Sequence, residues 1–429
     1  MTVVHRPGRL AGSVEVVTIG DELLLGATID ENGPWLCRRL AMAGFTVTRT
    51  VTVGDDERAI RDAIIEALGR AGTVICAGGL GATSDDRTRA AAAAAFGVGV
   101  ERNREAEVLL RARLGDSPID PALLVYADVP SGARVLPNPA GLAPGLVLED
   151  ASSAAASLLP GVPSELKALF DAEVEPWLRT RWPDGDDGLR HRTFRTTGLT
   201  ESALARMIEP WRSVFEPPLD VAFLPYAGGV DLRLTYWGRG GAPDVAAAFQ
   251  RADETLSRVL DGYLYGYDGD TLADALGRAA LDVGITVAVA ESCTGGLIGA
   301  GITARPGASS YFLGGVVAYA DGAKSALLGV PPEILAAHGA VSEPVARAMA
   351  EGACAAFGAD AAASVTGIAG PGGGTTSKPV GTVWIATAVA GDVRARRHQF
   401  RGDREEVRAR GANAAMAWLW RRITGRESS

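Results

Sequence analysis

Apolar runs alternate with amphipathic segments through the first hundred residues. The runs at 14–19, 45–53 and 73–77 predict β-strands, whereas the segments that begin near Pro34 and cover 57–70 predict helices. Strands and helices that alternate at this spacing are typical of a parallel sheet covered on both faces. Ligands bind such sheets at the carboxyl ends of the strands, where both acidic turns of this region fall.

The pattern changes after about residue 176. The segment from Trp182 to Gly188 is rich in Asp, Gly and Pro and predicts a linker or exposed loop. Short strands and helices follow and predict a small α+β unit. The predicted strands are 191–197, 220–224 and 230–236, and the predicted helices are 201–208 and 243–260.

Alternating strands and helices return in the last third of the chain. The predicted strands there are 286–289, 314–319 and 361–365, and the predicted helices are 271–281, a segment from 297, 344–357 and 405–421. We therefore expect an α/β protein with domains at 1–175, 176–264 and 265–429, which agrees with its length of 429 residues.

Composition narrows the class of protein. Hydrophobic residues make up 47%, yet no apolar run reaches the roughly 20 residues of a membrane span, and residues 1–12 lack the apolar core of a signal peptide. We expect a cytoplasmic protein without a membrane partner. The four cysteines and four histidines show no spacing typical of disulfide frameworks or zinc sites. A net charge of −9 makes nucleic acid an improbable partner.

The segment Ala-Glu-Ser-Cys-Thr-Gly-Gly at 290–296 carries the first candidate chemistry. It predicts a strand, a sharp turn and a helix start, where backbone N–H groups near Gly295 and Gly296 would hold an anion or an oxyanion. Ser292 is the candidate nucleophile, and Cys293 is its rival. The alternative is that a side chain of this turn only caps the helix.

A glycine-rich turn with adjacent carboxylates lies at 78–88. Glycines at Gly78 and Gly79 let the backbone approach a phosphate. Asp85 and Asp86, together with the acidic turn at 21–22, suggest oxygen ligands for a divalent metal, since adjacent like charges need compensation. The alternative is an ordinary turn, because tight turns need glycine in any case.

Several motifs of the first 165 residues resemble the molybdopterin-binding-like domain of the CinA family. The motifs are Gly20-Asp21-Glu22-Leu23-Leu24, Gly78-Gly79-Leu80-Gly81 with Thr83, Asp85, Asp86 and Thr88, Asn138 with Gly141 and Ala143-Pro144-Gly145, and Leu159-Pro160-Gly161-Val162-Pro163 with Glu165. The resemblance implies a three-layer α/β/α domain that hydrolyses ADP-ribose to AMP and ribose 5-phosphate.

The same resemblance implies the residues and ions of that activity. The implied pyrophosphatase site contains Asp21, Glu22, Gly78, Gly79 and Asn138. A divalent metal, magnesium or cobalt, would be held by Asp85 and Asp86, and potassium would favour the reaction. Two positions depart from the family pattern: Ala82 replaces the usual proline and Leu142 the usual threonine.

The rest of the chain is similar to two further domains of the same family. Residues 176–264 correspond to a KH-like domain, but no Gly-x-x-Gly loop follows its first strand. A spacer or dimerisation role is therefore expected, and with it a homodimer. Residues 265–429 resemble the nicotinamide mononucleotide deamidase domain, through the segment at 290–296 and the motifs around Tyr319, Thr366 and Arg404.

The deamidase resemblance and the small number of histidines in this domain together suggest a serine–lysine mechanism without a cofactor. This domain contains only His338 and His398, so Lys324 is the better candidate base. The neutral form of Lys324 would be favoured by burial or by the charge of Lys378. Tyr319 would orient the proton.

Further residues are candidates for substrate binding. Thr366, Gly367 and the N–H groups near Gly295 and Gly296 would bind the carboxamide, and Arg404 the phosphate. Alternative readings are a packed Tyr319, a surface Lys324 and a solvated Arg404.

The sequence therefore predicts an enzyme with two activities on products of NAD breakdown. One converts nicotinamide mononucleotide to nicotinate mononucleotide and ammonia, and the other hydrolyses ADP-ribose. A nucleotide-sensing protein with one or both sites inactive is the alternative.

Overall fold

The computed structural model describes residues 12–115, 120–182, 190–215, 218–237 and 245–426. Residues 183–188 of the predicted linker lie outside these ranges. The protein divides into two compact units. The first comprises 1–190 with 236–242, and the second comprises 191–235 with 243–429.

The first unit contains eight described strands and seven described α-helices. The strands are β1 (Ser13–Ile19), β2 (Thr46–Val53), β3 (Thr73–Ala77), β4 (Val100–Arg102), β5 (Asp128–Pro130), β6 (Arg134–Leu136), β7 (Gly145–Glu149) and β8 (Ala155–Leu159). The helices are α1 (Asp21–Leu24), α2 (Asn32–Met42), α3 (Glu57–Ala71), α4 (Thr88–Phe96), α5 (Arg104–Leu114), α6 (Pro163–Leu169) and α7 (Glu175–Arg181).

Six of these strands form one sheet in the order β2-β1-β3-β8-β7-β6. The sheet is parallel from β2 to β8, as predicted for the strands at 14–19, 45–53 and 73–77, whereas β7 pairs antiparallel with both β8 and β6. The physical reason is the short turn after Glu149. Five residues close a hairpin but are too few for a parallel crossover.

Both faces of the sheet are covered, as the alternating pattern predicts. On β1, Val17 and Ile19 pack into one apolar cluster with Ile60 of α3, while Val14 and Val16 pack into another that includes α2. Every residue of β1 is buried. The three-layer α/β/α architecture of the first unit is therefore confirmed.

The second unit begins with a four-stranded sheet in the order β10-β11-β9-β12. Its strands are β9 (Arg190–Thr196), β10 (Asp220–Tyr226), β11 (Gly229–Tyr236) and β12 (Leu264–Tyr267), and its described helices are α8 (Glu201–Ile208) and α9 (Val245–Val259). The small α+β unit is as predicted, except that strand β12 was missed.

The remaining elements surround a five-stranded sheet in the order β14-β13-β15-β16-β17. The strands are β13 (Val287–Glu291), β14 (Phe312–Val317), β15 (Ala361–Gly367), β16 (Thr382–Val389) and β17 (Asp392–Gln399). The helices are α10 (Leu272–Val283), α11 (Leu297–Thr303), α12 (Asp321–Leu328), α13 (Pro332–His338), α14 (Glu343–Phe357) and α15 (Arg404–Ile423).

Strands β14, β13 and β15 are parallel, whereas β16 and β17 form an antiparallel hairpin that the sequence analysis missed. Ala390 and Gly391 connect the hairpin with φ of 49° and 80°. Two successive positive φ angles match the turn that suits a two-residue hairpin. Alanine at the first of them hides this signal in the sequence.

The small sheet and the five-stranded sheet belong to the same compact unit. Arg421, near the end of α15, donates from Nε to the carbonyl of Gly262 at 2.8 Å and from Nη2 to that of Thr197 at 2.7 Å. Tyr265 of β12 lies in the apolar core of the last domain. The predicted domains 176–264 and 265–429 are thus joined by buried contacts.

Within the described ranges, none of the helices combines the length and apolar character that a membrane span requires.

Candidate functional site

Ser292 directly follows the central strand β13 and stands at the carboxyl edge of the parallel part of the sheet. Its N–H donates to the carbonyl of Val365 on β15 at 2.9 Å. The side chain is 7% exposed, and it lines a cavity of about 270 Å³. The strand–turn–helix that the sequence predicts therefore presents this serine to the cavity.

Glu291, a residue that the sequence analysis did not single out, closes the start of helix α11. The residue is 2% exposed, and its carboxylate accepts the N–H groups of Gly296 at 3.0 Å, Ile298 at 3.2 Å and Gly299 at 2.9 Å. The N–H of Gly295 donates to the carbonyl of Ser292 at 3.1 Å. The donors predicted to bind an oxyanion near Gly295 and Gly296 are therefore already engaged within the turn.

Replacement of Glu291 by glutamine should destabilise the second unit. A neutral amide presents one oxygen to three N–H donors and turns its own NH₂ toward them, so buried donors lose partners at a cost of about 1–3 kcal/mol. We expect a melting temperature several degrees lower and slower turnover at the serine.

A matched control is Glu343→Gln in the first turn of α14, where the carboxylate is 50% exposed. Thermal melts of the two variants should differ clearly. Equal melting temperatures would contradict the role assigned to Glu291.

Lys324 lies on α12 with its side chain 1% exposed, which corrects the reading of it as a surface lysine. Its Nζ donates to the backbone carbonyl of Tyr319 at 3.2 Å and lies 3.5 Å from Oδ1 of Asp321. Because the Asp321 side chain is 63% exposed, solvent screens this ion pair.

Lys378 does not provide the positive charge that was predicted to act on Lys324. Its Nζ donates to the backbone carbonyl of His338 at 2.8 Å, and Lys378 is not among the residues that line the cavity. This contact joins the glycine-rich segment to the end of α13. Lys378 therefore supports one wall of the cavity.

Tyr319 lies two residues beyond the end of β14 and is 60% exposed, so it is neither the end of a strand nor a packed aromatic. Its phenol oxygen accepts from Nη2 of Arg404 at 2.8 Å, while Nη1 of Arg404 donates to the carbonyl of Gly370 at 2.7 Å. The hydroxyl of Tyr319 therefore contacts Arg404, and its carbonyl contacts Lys324.

Thr366 and Gly367 end strand β15 beside the cavity. The Thr366 hydroxyl donates to the carbonyl of Ala340 at 2.9 Å, so its proton is not available to a carboxamide in this structure. Gly367 has no room for a side chain, because a Cβ there would lie 2.7 Å from Cγ2 of Val383. These two residues shape the cavity wall.

The cavity gathers residues from five separate parts of the chain. The lining residues include the predicted site residues Ser292, Tyr319, Lys324, Thr366, Gly367 and Arg404. They also include Cys293, the alternative candidate nucleophile. Gly295 and Gly296 are not among the lining residues. Burial raises the pKa of the Cys293 thiol to about 11, which disfavours the reactive thiolate at neutral pH.

Arg408 lies one turn after Arg404 on α15 and stabilises the turn that follows Ser292 from outside the cavity. Its Nη2 donates to the carbonyl of Thr294 at 3.0 Å. Sequence reasoning missed this residue because no local motif connects positions more than a hundred residues apart.

A second candidate site lies in the first unit, where three parallel strands end side by side. Gly78 and Gly79 follow β3 with φ of 116° and 67°. A Cβ at Gly78 would lie 2.3 Å from the carbonyl oxygen of Ile19, and one at Gly79 would lie 2.2 Å from Oγ1 of Thr88. The turn therefore requires glycine at both positions, and it lies at the carboxyl edge of the parallel strands.

Asp86 holds this turn together. Its carboxylate accepts the N–H groups of Gly81 at 2.6 Å and Thr83 at 2.9 Å, and the Thr83 hydroxyl at 2.5 Å. The side chain of Asp85 is exposed, and hydrogen bonding by Thr83 lowers the pKa of its carboxyl group. Of the two predicted metal ligands, Asp86 stabilises the turn, whereas Asp85 faces solvent and does not.

Asp21 and Asn138 are also held by neighbouring backbone. Oδ1 of Asp21 accepts the N–H of Asp55 at 3.1 Å, and Oδ2 of Asp55 accepts the N–H of Asp21 at 2.9 Å. Asn138 accepts two N–H groups of its own loop and donates to the Glu165 carboxylate at 2.7 Å. Glu22 is exposed and folds back toward Gly20.

The protein donors do not form a preassembled metal cage. Among the described residues, no group of three or more His, Cys, Asp or Glu side chains is placed to hold a metal ion. Magnesium sites commonly use only one or two protein carboxylates together with phosphate oxygens of a ligand, and one exposed carboxylate is compatible with that arrangement. Asp85 is the carboxylate that would hold such an ion.

Arg89 is a cation beside the glycine turn that sequence reasoning missed. The residue is 5% exposed, and its guanidinium donates to the carbonyls of Leu80 at 2.5 Å and Gly81 at 3.0 Å. Burial lowers the pKa of this guanidinium. The run of alanines that follows Arg89 suggested only a packed helix, which hid its role.

Comparison with known proteins gives matches along almost the whole chain. The family model described as "CinA C-terminal domain" matches residues 269–423, "Probable molybdopterin binding domain" matches 15–180, and "Damage-inducible protein CinA KH domain" matches 191–266.

Full-length relatives agree with these family matches. A CinA-like protein of Gemmatimonas aurantiaca is 46% identical over 420 residues, with 97% of each chain covered. A CinA-like protein of Gloeobacter violaceus is 40% identical over 425 residues, with 98% of each chain covered. The crystal structure of competence damage-inducible protein A (ComA) from Klebsiella pneumoniae is 39% identical, with a TM-score of 0.35, and covers 36% of this chain and 95% of its own. The three domain matches and the two full-length relatives show that the chain belongs to the CinA family.

Proposed function

We propose that the second unit is an amidohydrolase that converts nicotinamide mononucleotide to nicotinate mononucleotide and ammonia. The observation that carries this proposal is the cavity in which Ser292, Lys324 and Arg404 meet. A hydroxyl nucleophile, a buried amine and a guanidinium are the groups that acyl transfer on a phosphorylated substrate needs. The choice of nicotinamide mononucleotide as the substrate rests on the resemblance to the family's deamidase domain.

The reaction divides into two balanced steps. The neutral amine of Lys324 accepts the Ser292 proton as Oγ attacks the carboxamide carbon, and it returns that proton to the departing nitrogen, so ammonia leaves and an ester forms. Water then gives a proton to Lys324 and attacks the ester. The ester bond breaks, Lys324 returns the proton to Oγ of Ser292, and nicotinate mononucleotide leaves.

Arg404 is the proposed phosphate ligand. Arginine has five N–H donors in a planar fork, and the contacts to Gly370 and Tyr319 use only part of them. Its position at the start of α15 adds the partial positive charge of a long helix. Tyr319 holds the guanidinium in place through its phenol oxygen, which is a positioning role.

For the first unit we propose hydrolysis of ADP-ribose to AMP and ribose 5-phosphate. The glycine turn at Gly78 and Gly79 lies at the carboxyl ends of the parallel strands beside the buried cation of Arg89, which supports pyrophosphate binding. A divalent ion held at Asp85 would neutralise charge on the pyrophosphate. Binding of either nucleotide without turnover would instead favour a nucleotide-sensing protein.

The test is to incubate the purified protein with each nucleotide and to separate the products by chromatography. Formation of nicotinate mononucleotide with equimolar ammonia supports the first activity, and formation of AMP with ribose 5-phosphate supports the second. Neither set of products would appear if both sites only bind nucleotides.

A chelator should separate the two activities. The proposed serine–lysine reaction uses no metal, whereas the pyrophosphatase proposal places a divalent ion between Asp85 and the substrate. We expect EDTA to abolish AMP formation, magnesium to restore it, and ammonia release to stay unchanged. Equal loss of both activities would contradict this assignment.

A further inference from the structure

A second cavity, of about 250 Å³, lies in the first unit between helix α5 and the loop at 137–144. Its walls are largely apolar, with Leu109 on the helix side and Leu142 on the loop side. Arg113 of α5 supplies a guanidinium at this cavity, and its Nη2 donates to the carbonyl of Pro139 at 3.0 Å. The cavity thus combines apolar surface with one planar cation.

The loop that forms one wall is held in a single conformation by Asn138. Its Oδ1 accepts the N–H groups of Ala140 at 2.9 Å and Gly141 at 3.0 Å. Its Nδ2 donates to the carbonyl of Ala143 at 2.8 Å and to Glu165 at 2.7 Å. A binding surface fixed in this way loses little entropy when a ligand binds.

The sheet places this cavity on the same edge as the glycine turn. Leu146 of β7 pairs with Leu158 near the end of β8, and Leu136 at the end of β6 pairs with Gly145, so the loop lies beside the carboxyl ends of the parallel strands. In the order β3-β8-β7-β6, the loop is two to three strands from β3. At about 4.8 Å per strand, this separation is roughly 10–15 Å.

We propose that this cavity is a nucleobase subsite, which binds the heteroaromatic ring of a nucleotide whose pyrophosphate lies at Gly78 and Gly79. A volume of about 250 Å³ is below the range of pockets that enclose a whole drug-sized ligand, so it suits one ring system. The ribose and the adjoining phosphate of the pyrophosphate span the separation between the ring and the bridging oxygen. This inference rests on the nucleotide-hydrolysing function proposed for the same unit.

The guanidinium of Arg113 is the group that recognises the ring. Arginine stacks on aromatic faces through its planar guanidinium. Leu109 and Leu142 contribute apolar contact. Leu142 is also the position where the family usually has threonine, so a change of ring preference would arise here.

The test measures binding of AMP by calorimetry and the kinetic constants for ADP-ribose. Arg113→Ala should weaken AMP binding and raise KM for ADP-ribose about tenfold, with kcat nearly unchanged, because the reacting phosphates are elsewhere. Arg111→Ala is the matched control. Arg111 lies on the same helix, pairs with Glu107 at 2.8 Å and does not line the cavity.

A second variant, Leu142→Trp, fills the cavity and should also weaken AMP binding in a protein that melts normally. AMP affinity that is unchanged in both variants overturns the subsite, as does a wild-type protein that binds no AMP. If the wild type binds AMP, the variants lose it, and ADP-ribose is not hydrolysed, then the subsite stands and the proposed hydrolysis fails. The two proposals are therefore separable.

Discussion

Ser292→Ala should lower the rate of ammonia release from nicotinamide mononucleotide by a factor on the order of 10⁴ or more. The variant lacks the only atom that forms the proposed ester, and no neighbouring group replaces it. Ser292 is 7% exposed and held by its backbone to Val365, so loss of one oxygen should leave the fold unchanged. The measurement is kcat by an ammonia assay, with a thermal melt as a check of folding.

Cys293→Ala is the matched control, since it removes one side-chain atom from the next residue. The Cys293 thiol is buried with a raised pKa, so this variant should retain most of the activity. Hydrolysis of ADP-ribose should be unaffected in both variants. An active Ser292→Ala beside an inactive Cys293→Ala would show that the nucleophile is the thiol.

Lys324→Arg should be nearly as inactive as Lys324→Ala. Arginine keeps the positive charge and a similar length, but its guanidinium does not lose a proton near neutral pH and therefore does not accept one from Ser292. A lysine that only bound substrate would behave differently, because arginine would retain turnover and the damage would fall mainly on KM.

The pH dependence gives a second readout for this residue. If the neutral amine of Lys324 is the base, kcat of the wild type rises with pH as the ammonium loses its proton, and this acidic limb disappears from the residual activity of either variant. Lys378→Ala is the control, because the amine of Lys378 contacts the carbonyl of His338 and not the reacting groups. Substantial turnover by Lys324→Arg would show that Lys324 is not the base, and Tyr319 or His338 would then be the next candidate.

The sequence was most informative where chemistry depends on neighbours along the chain. The turn after β13 presents Ser292 as predicted, and the turn after β3 requires glycine at Gly78 and Gly79. Local periodicity also predicted most helices and strands, because an apolar face has the same period whatever it packs against.

Hydrogen bonds from side chains to backbone groups could not be predicted in this way. Glu291 looked like an ordinary member of a motif. Its carboxylate instead accepts hydrogen bonds at the start of helix α11, so these N–H donors are not available to a ligand. Asp86 looked like a metal ligand, but its three hydrogen bonds hold the glycine turn. Arg89, Arg408 and Lys378 act on carbonyls whose positions depend on the tertiary fold.

Helix α15 has a consequence for attempts to shorten this protein. At 20 residues it is about 30 Å long, with Arg404 at the cavity and Arg421 bonded to the carbonyls of Thr197 and Gly262 near its other end. Truncation of the chain before Asp270 would remove both carbonyls, so the guanidinium of Arg421 would lose two protein partners and face solvent. A fragment that begins at Asp270 would therefore keep Arg404 at the cavity but lose the contacts that hold the far end of the same helix.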